Sequence, residues 1–284
     1  MYLRHLISRS LPPCSRCHRA WAVRMYTAQE TRFLNNIRYE GVFESDRLRE
    51  GAMMLPDGRV YRGSFGDDGH IADGGTLLFS EGEYTGEFQN WARHGEGRTM
   101  YASGKVEEGI YKDNALVQGR VVMLDDEGDG ELELEGRWQD GCIVEGVLRQ
   151  AGICYEGEFK ENLPHGQGQT VFPTGRKYIG THASGQFCGK GAMVMANGDV
   201  FRGVFEDGRL LDGHLQYMNG SRYDGQFNDD GELHGQGEYE DAATGHVYTG
   251  HWQKGKFLEG QVLDRDGYPV ELTTQGMRIS DLQP

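Results

Sequence analysis

The chain has 284 residues, of which 44 are glycine, and carries a formal net charge of −15 at pH 7 with 37% hydrophobic residues. Because 44 acidic residues face 29 basic ones, a nucleic-acid-binding surface is disfavoured, since phosphate backbones are bound by clustered Lys and Arg. No apolar run approaches the roughly 18 residues that a membrane-spanning helix requires. Composition therefore argues against DNA-binding and integral membrane proteins, while 14 Tyr, 12 Phe and 4 Trp favour a packed structure.

Residues 1–29 differ in composition from the rest of the chain. They contain no acidic residue and five arginines, which are Arg4, Arg9, Arg16, Arg19 and Arg24. Apolar residues at three- and four-residue steps predict a short amphipathic helix that ends before Pro12, a pattern typical of an organelle transit peptide. We expect a mitochondrial transit peptide over 1–29 and a location in the mitochondrial matrix; an ordinary basic tail is the alternative. Without these residues 24 basic residues face 44 acidic ones, a net charge of −20.

The cysteines do not form a recognisable cofactor site. Cys14 to His18 has the spacing of a haem attachment motif, but strand-forming sequence follows instead of a helical haem domain. The other three cysteines, Cys142, Cys154 and Cys188, are too scattered for a zinc site or a disulfide framework. We therefore expect no cofactor and no bound metal.

An aromatic-x-Gly-x-aromatic pattern recurs about every 23 residues from residue 39 onward. Seven clear copies begin at Tyr39, Tyr61, Tyr84, Tyr155, Phe201, Tyr223 and Tyr248, and three degenerate copies begin at Glu107, Leu134 and Tyr178. A second glycine follows each start by 11–13 residues, in the best copies as His94-Gly95-Glu96-Gly97, His165-Gly166-Gln167-Gly168 and His234-Gly235-Gln236-Gly237. A third glycine closes most copies in a turn-forming pair such as Asn197-Gly198.

Each copy predicts one β-hairpin. The aromatic, the glycine and the second aromatic are two residues apart, so they point to one face of a strand, and the glycine leaves space for neighbouring rings. Consecutive hairpins would form a single antiparallel sheet in which each unit contacts its neighbours. With ten copies this sheet has roughly 20 strands at ~4.8 Å each.

The repeat pattern resembles the MORN (membrane occupation and recognition nexus) repeat over residues 39 to about 270. The resemblance implies an all-β fold, an elongated single-layer antiparallel sheet of about ten stacked hairpins. It also implies a scaffold or peptide-binding platform, or a contact with membranes. We expect a linker at 30–38, the repeat sheet at 39–270 and a C-terminal cap or tail at 271–284. An acidic insertion that lengthens the fourth unit predicts a kink or an irregular hairpin near residues 120–135.

Candidate catalytic and metal groups are better explained as parts of the repeat. The acidic run from Asp125 to Gly130 lacks the glutamate that a calcium loop needs at its twelfth position. His94, His165 and His234 recur at one repeat position, so we predict that they are structural hydrogen-bonding groups at the hairpin turn. No nucleophile repeats beside them, and we expect no enzyme activity.

The aromatic stripe carries the functional hypothesis, because a one-layer sheet with rings on one face exposes more apolar area than a monomer usually tolerates. The predicted partner-binding groove consists of Tyr61, Phe65, Tyr84, Phe88, Tyr155, Phe159, Tyr178, Phe201, Phe205, Tyr223, Phe227, Tyr248 and Trp252. A partner peptide, or residues Met277, Ile279 and Leu282 of the chain's own C-terminal segment, would cover it. The alternative is that the rings pack against one another across strands.

We predict a non-catalytic scaffold or adaptor subunit of a mitochondrial multiprotein complex. Its protein partners would bind through the aromatic groove and the acidic flank of the sheet, and direct nucleic-acid binding is not expected. The alternative is a peripheral phospholipid-binding tether, although the charge of −20 would be repelled by anionic membrane leaflets.

Overall fold

A computed structural model describes residues 29–124, 130–270 and 277–278. Within these residues the regular structure is β-strand, and consecutive strands pair antiparallel as hairpins. No helix there has the length and apolar character needed to cross a membrane. The all-β fold class predicted from the repeat pattern is confirmed. The chain divides into two compact units, residues 1–119 and 120–284.

The first unit is an open antiparallel sheet in which each strand pairs with the next. Its strands are β1 (Glu30–Leu34), β2 (Ile37–Glu44), β3 (Arg47–Met54), β4 (Val60–Phe65), β5 (Ile71–Phe79), β6 (Gly82–Gln89), β7 (Ala92–Tyr101) and β8 (Val106–Lys112). The next strand, β9 (Ala115–Leu124), contains the division between the units.

The second unit repeats the same arrangement. Its strands are β10 (Glu131–Gln139), β11 (Cys142–Gln150), β12 (Ile153–Lys160), β13 (Leu163–Val171), β14 (Lys177–Ala183), β15 (Gln186–Val194), β16 (Val200–Glu206), β17 (Arg209–Gln216), β18 (Arg222–Phe227), β19 (Leu233–Glu240), β20 (Val247–Gln253), β21 (Lys256–Leu263) and β22 (Met277–Arg278).

Two kinds of turn alternate along each unit. Many turns inside a repeat contain two residues that both have positive φ, as in Glu161 (φ 53°) and Asn162 (φ 63°), which is the geometry of a type I′ turn. The predicted Asn-Gly-type turns between repeats are three-residue connections instead. At Gly198 (φ 92°) the amide donates to the Met195 carbonyl at 3.0 Å, and the Met195 amide donates across to Asp199 at 2.8 Å. Glycine meets the left-handed conformation there without a Cβ penalty.

Rows of glycines cross the strands of both units. In the first unit, glycines face each other on seven consecutive strands, at Gly41, Gly51, Gly63, Gly75, Gly86, Gly97 and Gly109. The second unit has its own row, with a glycine on every strand from Gly136 on β10 to Gly260 on β21. A Cβ on Gly41 would collide with the facing backbone of Glu50 and Gly51. Paired glycines therefore allow the strands to approach closely along the row.

The described residues cover only part of the predicted leader, linker, acidic run and C-terminal cap. The range 30–38, predicted as a linker, contains β1 and the start of β2. The transit peptide predicted at 1–29 and the acidic run 125–129 lie outside the described residues, apart from residue 29. Of the predicted cap, 271–276 and 279–284 also lie outside them, whereas the backbone of Met277 and Arg278 pairs with Phe257 and Lys256 of β21.

Candidate interaction surface

In four hairpins the first tyrosine of the repeat is hydrogen-bonded across the strands. The hydroxyl of Tyr84 lies 2.8 Å from the Glu87 carbonyl and 3.2 Å from the His94 carbonyl. Tyr155, Tyr178 and Tyr223 make the equivalent pair of contacts at 2.6–3.4 Å. Each hydroxyl thus links carbonyls on both strands of its hairpin, and burial raises the pKa of Tyr155, Tyr178 and Tyr223 to about 12.

The carbonyl geometry depends on a left-handed glycine in the second strand. Gly95, Gly166, Gly189 and Gly235 have φ between 57° and 61°, and the strand register shifts by two residues in each of these hairpins. In the hairpin of β12 and β13, the carboxylate of Glu158 accepts the Gln167 amide at 3.1 Å beside this glycine. The bulge therefore turns the preceding carbonyl toward the tyrosine and keeps the next amide satisfied.

Each tyrosine ring occupies the space that the facing glycines leave. A Cβ on Gly97 or Gly168 would collide with the ring of Tyr84 or Tyr155. The prediction that rings lean over the glycine gap is confirmed, and it explains why two glycines per hairpin are needed.

Rings also join successive repeats into ladders. The first tyrosine of one repeat packs edge-on against the second aromatic of the following repeat. Tyr84 lies 5.2 Å from Tyr111, Tyr178 lies 5.1 Å from Phe205, and Tyr223 lies 5.7 Å from Trp252. Edge-to-face contacts at these centroid distances are favourable beyond simple burial.

The thirteen residues of the predicted groove lie in these ladders. Eleven are buried, with exposed fractions of 0–7%, whereas Phe88 and Phe201 are half-buried. Their rings contact other side chains of the same chain, as the alternative interpretation predicted, so they form the core of each unit. The stripe is not an open groove, because rings from successive repeats cover one another.

Two buried polar pairs stand within the ladders. In the second unit His182 occupies the second aromatic position and its Nε2 lies 3.0 Å from the Thr170 hydroxyl. In the first unit Tyr111 occupies that position and its hydroxyl lies 2.9 Å from the Thr99 hydroxyl. Burial lowers the pKa of His182, partly offset by its contact with the Gly180 carbonyl. In these two degenerate repeats the second aromatic position of the ladder is therefore held by a polar ring that hydrogen-bonds to a threonine.

The recurring histidines contribute through their backbones. The carbonyls of His94, His165 and His234 accept the tyrosine hydroxyls. The Nδ1 atoms of His94 and His234 are buried and have no hydrogen-bond partner among the described residues. These histidines are therefore structural hydrogen-bonding groups of the hairpin through their backbone carbonyls, and not through the Nδ1 atoms of His94 and His234.

Successive hairpins are joined by one further backbone hydrogen bond at the turn. The amide of Gly185 donates to the Pro164 carbonyl at 2.9 Å, and the amide of Gly208 donates to the Phe187 carbonyl at 3.0 Å. In the first unit the Asn114 amide donates to the Arg93 carbonyl at 3.0 Å, and the Asn114 side chain accepts the Arg93 amide at 2.9 Å. The residue before each bulge is thereby held by the next repeat.

The opposite face of each strand carries the polar residues, and in the second unit we call it the outer face. It is the face of Glu156, Ile179 and Asp224, which alternate with the buried tyrosines Tyr155, Tyr178 and Tyr223. Carboxylates recur on the outer face of β10–β12, at Glu133, Glu135, Glu145, Glu156 and Glu158, and on β17–β19, at Asp212, Asp224, Glu238 and Glu240. Seven of these nine carboxylates are exposed, and Glu133 and Glu240 are half-buried.

Comparisons with known proteins identify part of the repeat array. The family model described as MORN repeat matches residues 84–106, 155–175, 178–200 and 223–242. Alsin of Rattus norvegicus is 30% identical over 236 residues, covering 70% of this chain and 14% of that protein. Alsin of Mus musculus is 33% identical over 132 residues, covering 42% of this chain and 8% of that protein. The chain thus spans less than a sixth of the length of these relatives.

Among solved structures, the chain is similar to the wild-type TCP10 domain of Danio rerio CPAP in complex with a peptide of Danio rerio STIL. The identity is 15%, the TM-score is 0.28, and the alignment covers 88% of this chain and 99% of that domain.

The four matched segments coincide with the four hairpins that have the left-handed bulge glycine and the doubly hydrogen-bonded tyrosine. In the hairpin of β4 and β5 the register shifts at the same place, between Gly63 and Ser64, but Asp73 (φ 56°) stands where the four matched hairpins have the left-handed glycine. In other hairpins the bulge falls one position later, as between Val42 and Phe43 of the first repeat. The chain therefore contains MORN repeats at residues 84–106, 155–175, 178–200 and 223–242.

Proposed function

We propose that the chain is a non-catalytic adaptor that holds protein partners on the outer face of its repeat sheet. The proposal rests on the difference between the inner and outer faces of the sheet. The inner face is occupied by its own ladder of rings, while the outer face presents charged side chains on most strands of the second unit. All ten hairpin units are proposed to be repeats of one kind, of which six have diverged from the matched pattern.

The acidic strands β10–β12 and β17–β19 are proposed to bind basic surfaces of partner proteins. Charge complementarity of this kind raises association rates and fixes orientation. The thirteen aromatic residues support binding indirectly in this proposal, because they fix the strand register that places the outer-face charges. Phe88 and Phe201 are the two members that retain partial exposure for direct contact.

The proposed location is the mitochondrial matrix, supported by five arginines and no acidic residue in 1–29. The measurement is import of the full chain into isolated mitochondria followed by protease protection. We expect a protected, shortened product for the natural sequence and none for a variant with Arg4, Arg9, Arg16, Arg19 and Arg24 changed to glutamine. Protection of that variant, or no protection of either chain, would contradict the location.

Native gel electrophoresis of the imported chain tests the adaptor role. A subunit of a larger assembly should migrate well above the mass of 31.8 kDa. Migration as a monomer after gentle solubilisation would contradict it.

A peripheral membrane tether is the second candidate, suggested by the membrane contacts that the repeat family's name implies. Sedimentation with vesicles of anionic lipid distinguishes it. Tight binding at physiological salt would favour the tether over the adaptor, because a chain with a net charge of −20 beyond residue 29 should be repelled by such vesicles.

A further inference from the structure

One part of the outer face in the second unit has the opposite electrostatic character from its surroundings. Residues 163–198, which contain β13, β14 and β15, include no aspartate or glutamate, although the whole chain has 44. The same stretch contributes Lys177 and Lys190, and Arg202 follows on β16, whose one carboxylate is its last residue, Glu206. The acidic strands β10–β12 and β17–β19 lie on the two sides.

The register brings these cations together with exposed aliphatic side chains. Ile179 faces Ala192 on the neighbouring strand, and Ala192 faces Arg202 on the strand beyond. Lys190 faces Val204. Ile179 is 46% exposed and Val204 is 51% exposed. We call the six residues Lys177, Ile179, Lys190, Ala192, Arg202 and Val204 the β13–β16 patch.

The cations of this patch have no carboxylate partner among the described residues of the second unit. Within residues 130–270 none of Lys177, Lys190 and Arg202 forms an ion pair with a carboxylate. By contrast, Arg137 and Arg149 on the acidic side are paired with Glu145 and with Glu133 at 3.0–3.1 Å. The patch therefore presents free positive charge beside exposed apolar surface, which is complementary to a ligand with carboxylates beside apolar side chains.

We propose that the β13–β16 patch docks a single acidic amphipathic helix of a partner protein. This inference rests on the proposed adaptor function and names the class of partner. Its first argument is the width of the patch, since its six residues lie on three strands, β14, β15 and β16, which span two spacings of ~4.8 Å, about 10 Å. A helix with its side chains is about 10–12 Å across, so one helix fits on the patch.

The acidic strands on both sides supply the second argument. A flat anionic membrane that reached the patch would also meet Glu156 and Glu158 on one side and Asp212 and Asp224 on the other. These carboxylates lie within a few strand spacings, a distance at which repulsion is incompletely screened at physiological salt. A narrow segment aligned with the strands contacts the cations and avoids these carboxylates.

The test uses the full-length chain and a fluorescent 18-residue helical peptide with leucines at i, i+3, i+4 and i+7 and glutamates at most other positions. Binding is measured by fluorescence anisotropy at 150 mM salt.

The patch variant is Lys177→Glu, Lys190→Glu and Arg202→Glu. Its matched control, Arg137→Glu, Arg149→Glu and Lys160→Glu, makes the same change of −6 in charge on the outer face of β10–β12. Residues 1–29 are common to all of the proteins, so their arginines affect each measurement equally.

We expect the patch variant to bind the peptide at least about tenfold more weakly than the natural chain, and the control variant to stay within about threefold. A second variant, Ile179→Ser with Val204→Ser, changes no charge and should weaken binding severalfold through lost apolar contact. Equal losses in both charge variants, or no loss in the patch variant, would overturn the proposal.

Two further measurements distinguish the helix from a membrane ligand, and the patch proposal from the adaptor role. Sedimentation with phosphatidylserine vesicles that is lost in the patch variant would replace the helix by a membrane as the ligand of this patch. In the native-gel experiment, a natural chain that migrates in a large assembly but does not bind the peptide would refute the patch proposal while leaving the adaptor role intact. Monomeric migration would refute the adaptor role itself.

Discussion

Replacing Gly168 by alanine tests whether the fold depends on the space beneath the tyrosine ring. Gly168 has no positive φ, so alanine fits its backbone conformation. The added Cβ would lie 2.5 Å from Oη and 2.7 Å from Cζ of Tyr155. That ring is 1% exposed and its hydroxyl is held 2.6 Å from the Glu158 carbonyl and 3.1 Å from the His165 carbonyl, so it has no free path for relief.

The expected cost follows from two contributions. Overpacking a rigid buried site costs about 1–3 kcal/mol, and loss of the tyrosine hydrogen bond adds roughly 1 kcal/mol. We therefore expect Gly168→Ala to lower the free energy of unfolding by about 3 kcal/mol. Urea denaturation gives the global value, and hydrogen exchange of peptides from β12 and β13 locates the loss, since repeat arrays open locally.

Control variants isolate the steric cause. Gly185→Ala adds a Cβ that meets nothing within 4 Å but has a φ of 81°, so it should cost only the left-handed strain of about 1–2 kcal/mol. In a Tyr155→Leu background the ring is absent, and Gly168→Ala should then cost less than about 1 kcal/mol, a coupling expected for residues in contact. If Gly168→Ala costs no more than Gly185→Ala, or the same in both backgrounds, the ring does not require the glycine.

Three further predictions concern other parts of the sheet. Burial lowers the pKa of His182, so the unfolded chain binds a proton at this imidazole more readily than the folded chain does. The free energy of unfolding should therefore fall as the pH drops below about 6.5. His182→Phe should reduce the change in urea midpoint between pH 7.5 and 5, and the same pH dependence in the variant and the natural chain would contradict this. Thr99→Val removes the partner 2.9 Å from the Tyr111 hydroxyl and should cost about 1–2 kcal/mol by urea denaturation; a neutral result would count against that bond. Glu161 has a φ of 53° in a type I′ turn, a conformation that asparagine adopts more readily than glutamate. Glu161→Asn should therefore raise the thermal midpoint by an amount that corresponds to about 0.5–1 kcal/mol in the free energy of unfolding. A lower midpoint would show that the turn does not limit stability.

The repeat geometry was largely predictable from spacing alone. The two-residue step from Tyr84 through Gly86 to Phe88 places these residues on one face whatever their partners, and the strand period of two guarantees it. The same reasoning predicted that rings lean over glycines. It left open whether the stripe is a groove or a core, because the distance between the ladders of successive repeats depends on how closely the strands approach at the glycine row.

Other features depend on backbone details that the residue pattern does not specify. The glycine in His94-Gly95 reads as one of many turn or strand glycines, and its left-handed φ of 57° is what directs the His94 carbonyl to Tyr84. The β13–β16 patch was likewise missed, since it arises from an absence of acidic residues over three strands brought into register. A scan of charge along the outer-face positions would have found it.

Chemical cross-linking in isolated mitochondria, followed by purification of the tagged chain and mass spectrometry, tests the adaptor role most directly. We expect a partner protein to be recovered in near-stoichiometric amount, with cross-links at Lys177 or Lys190. Recovery of that partner without cross-linker should be lost in the Lys177→Glu, Lys190→Glu, Arg202→Glu chain and should persist in the Arg137→Glu, Arg149→Glu, Lys160→Glu chain. Recovery of the chain as a lone monomer would contradict the proposal that this repeat sheet holds partners on its outer face.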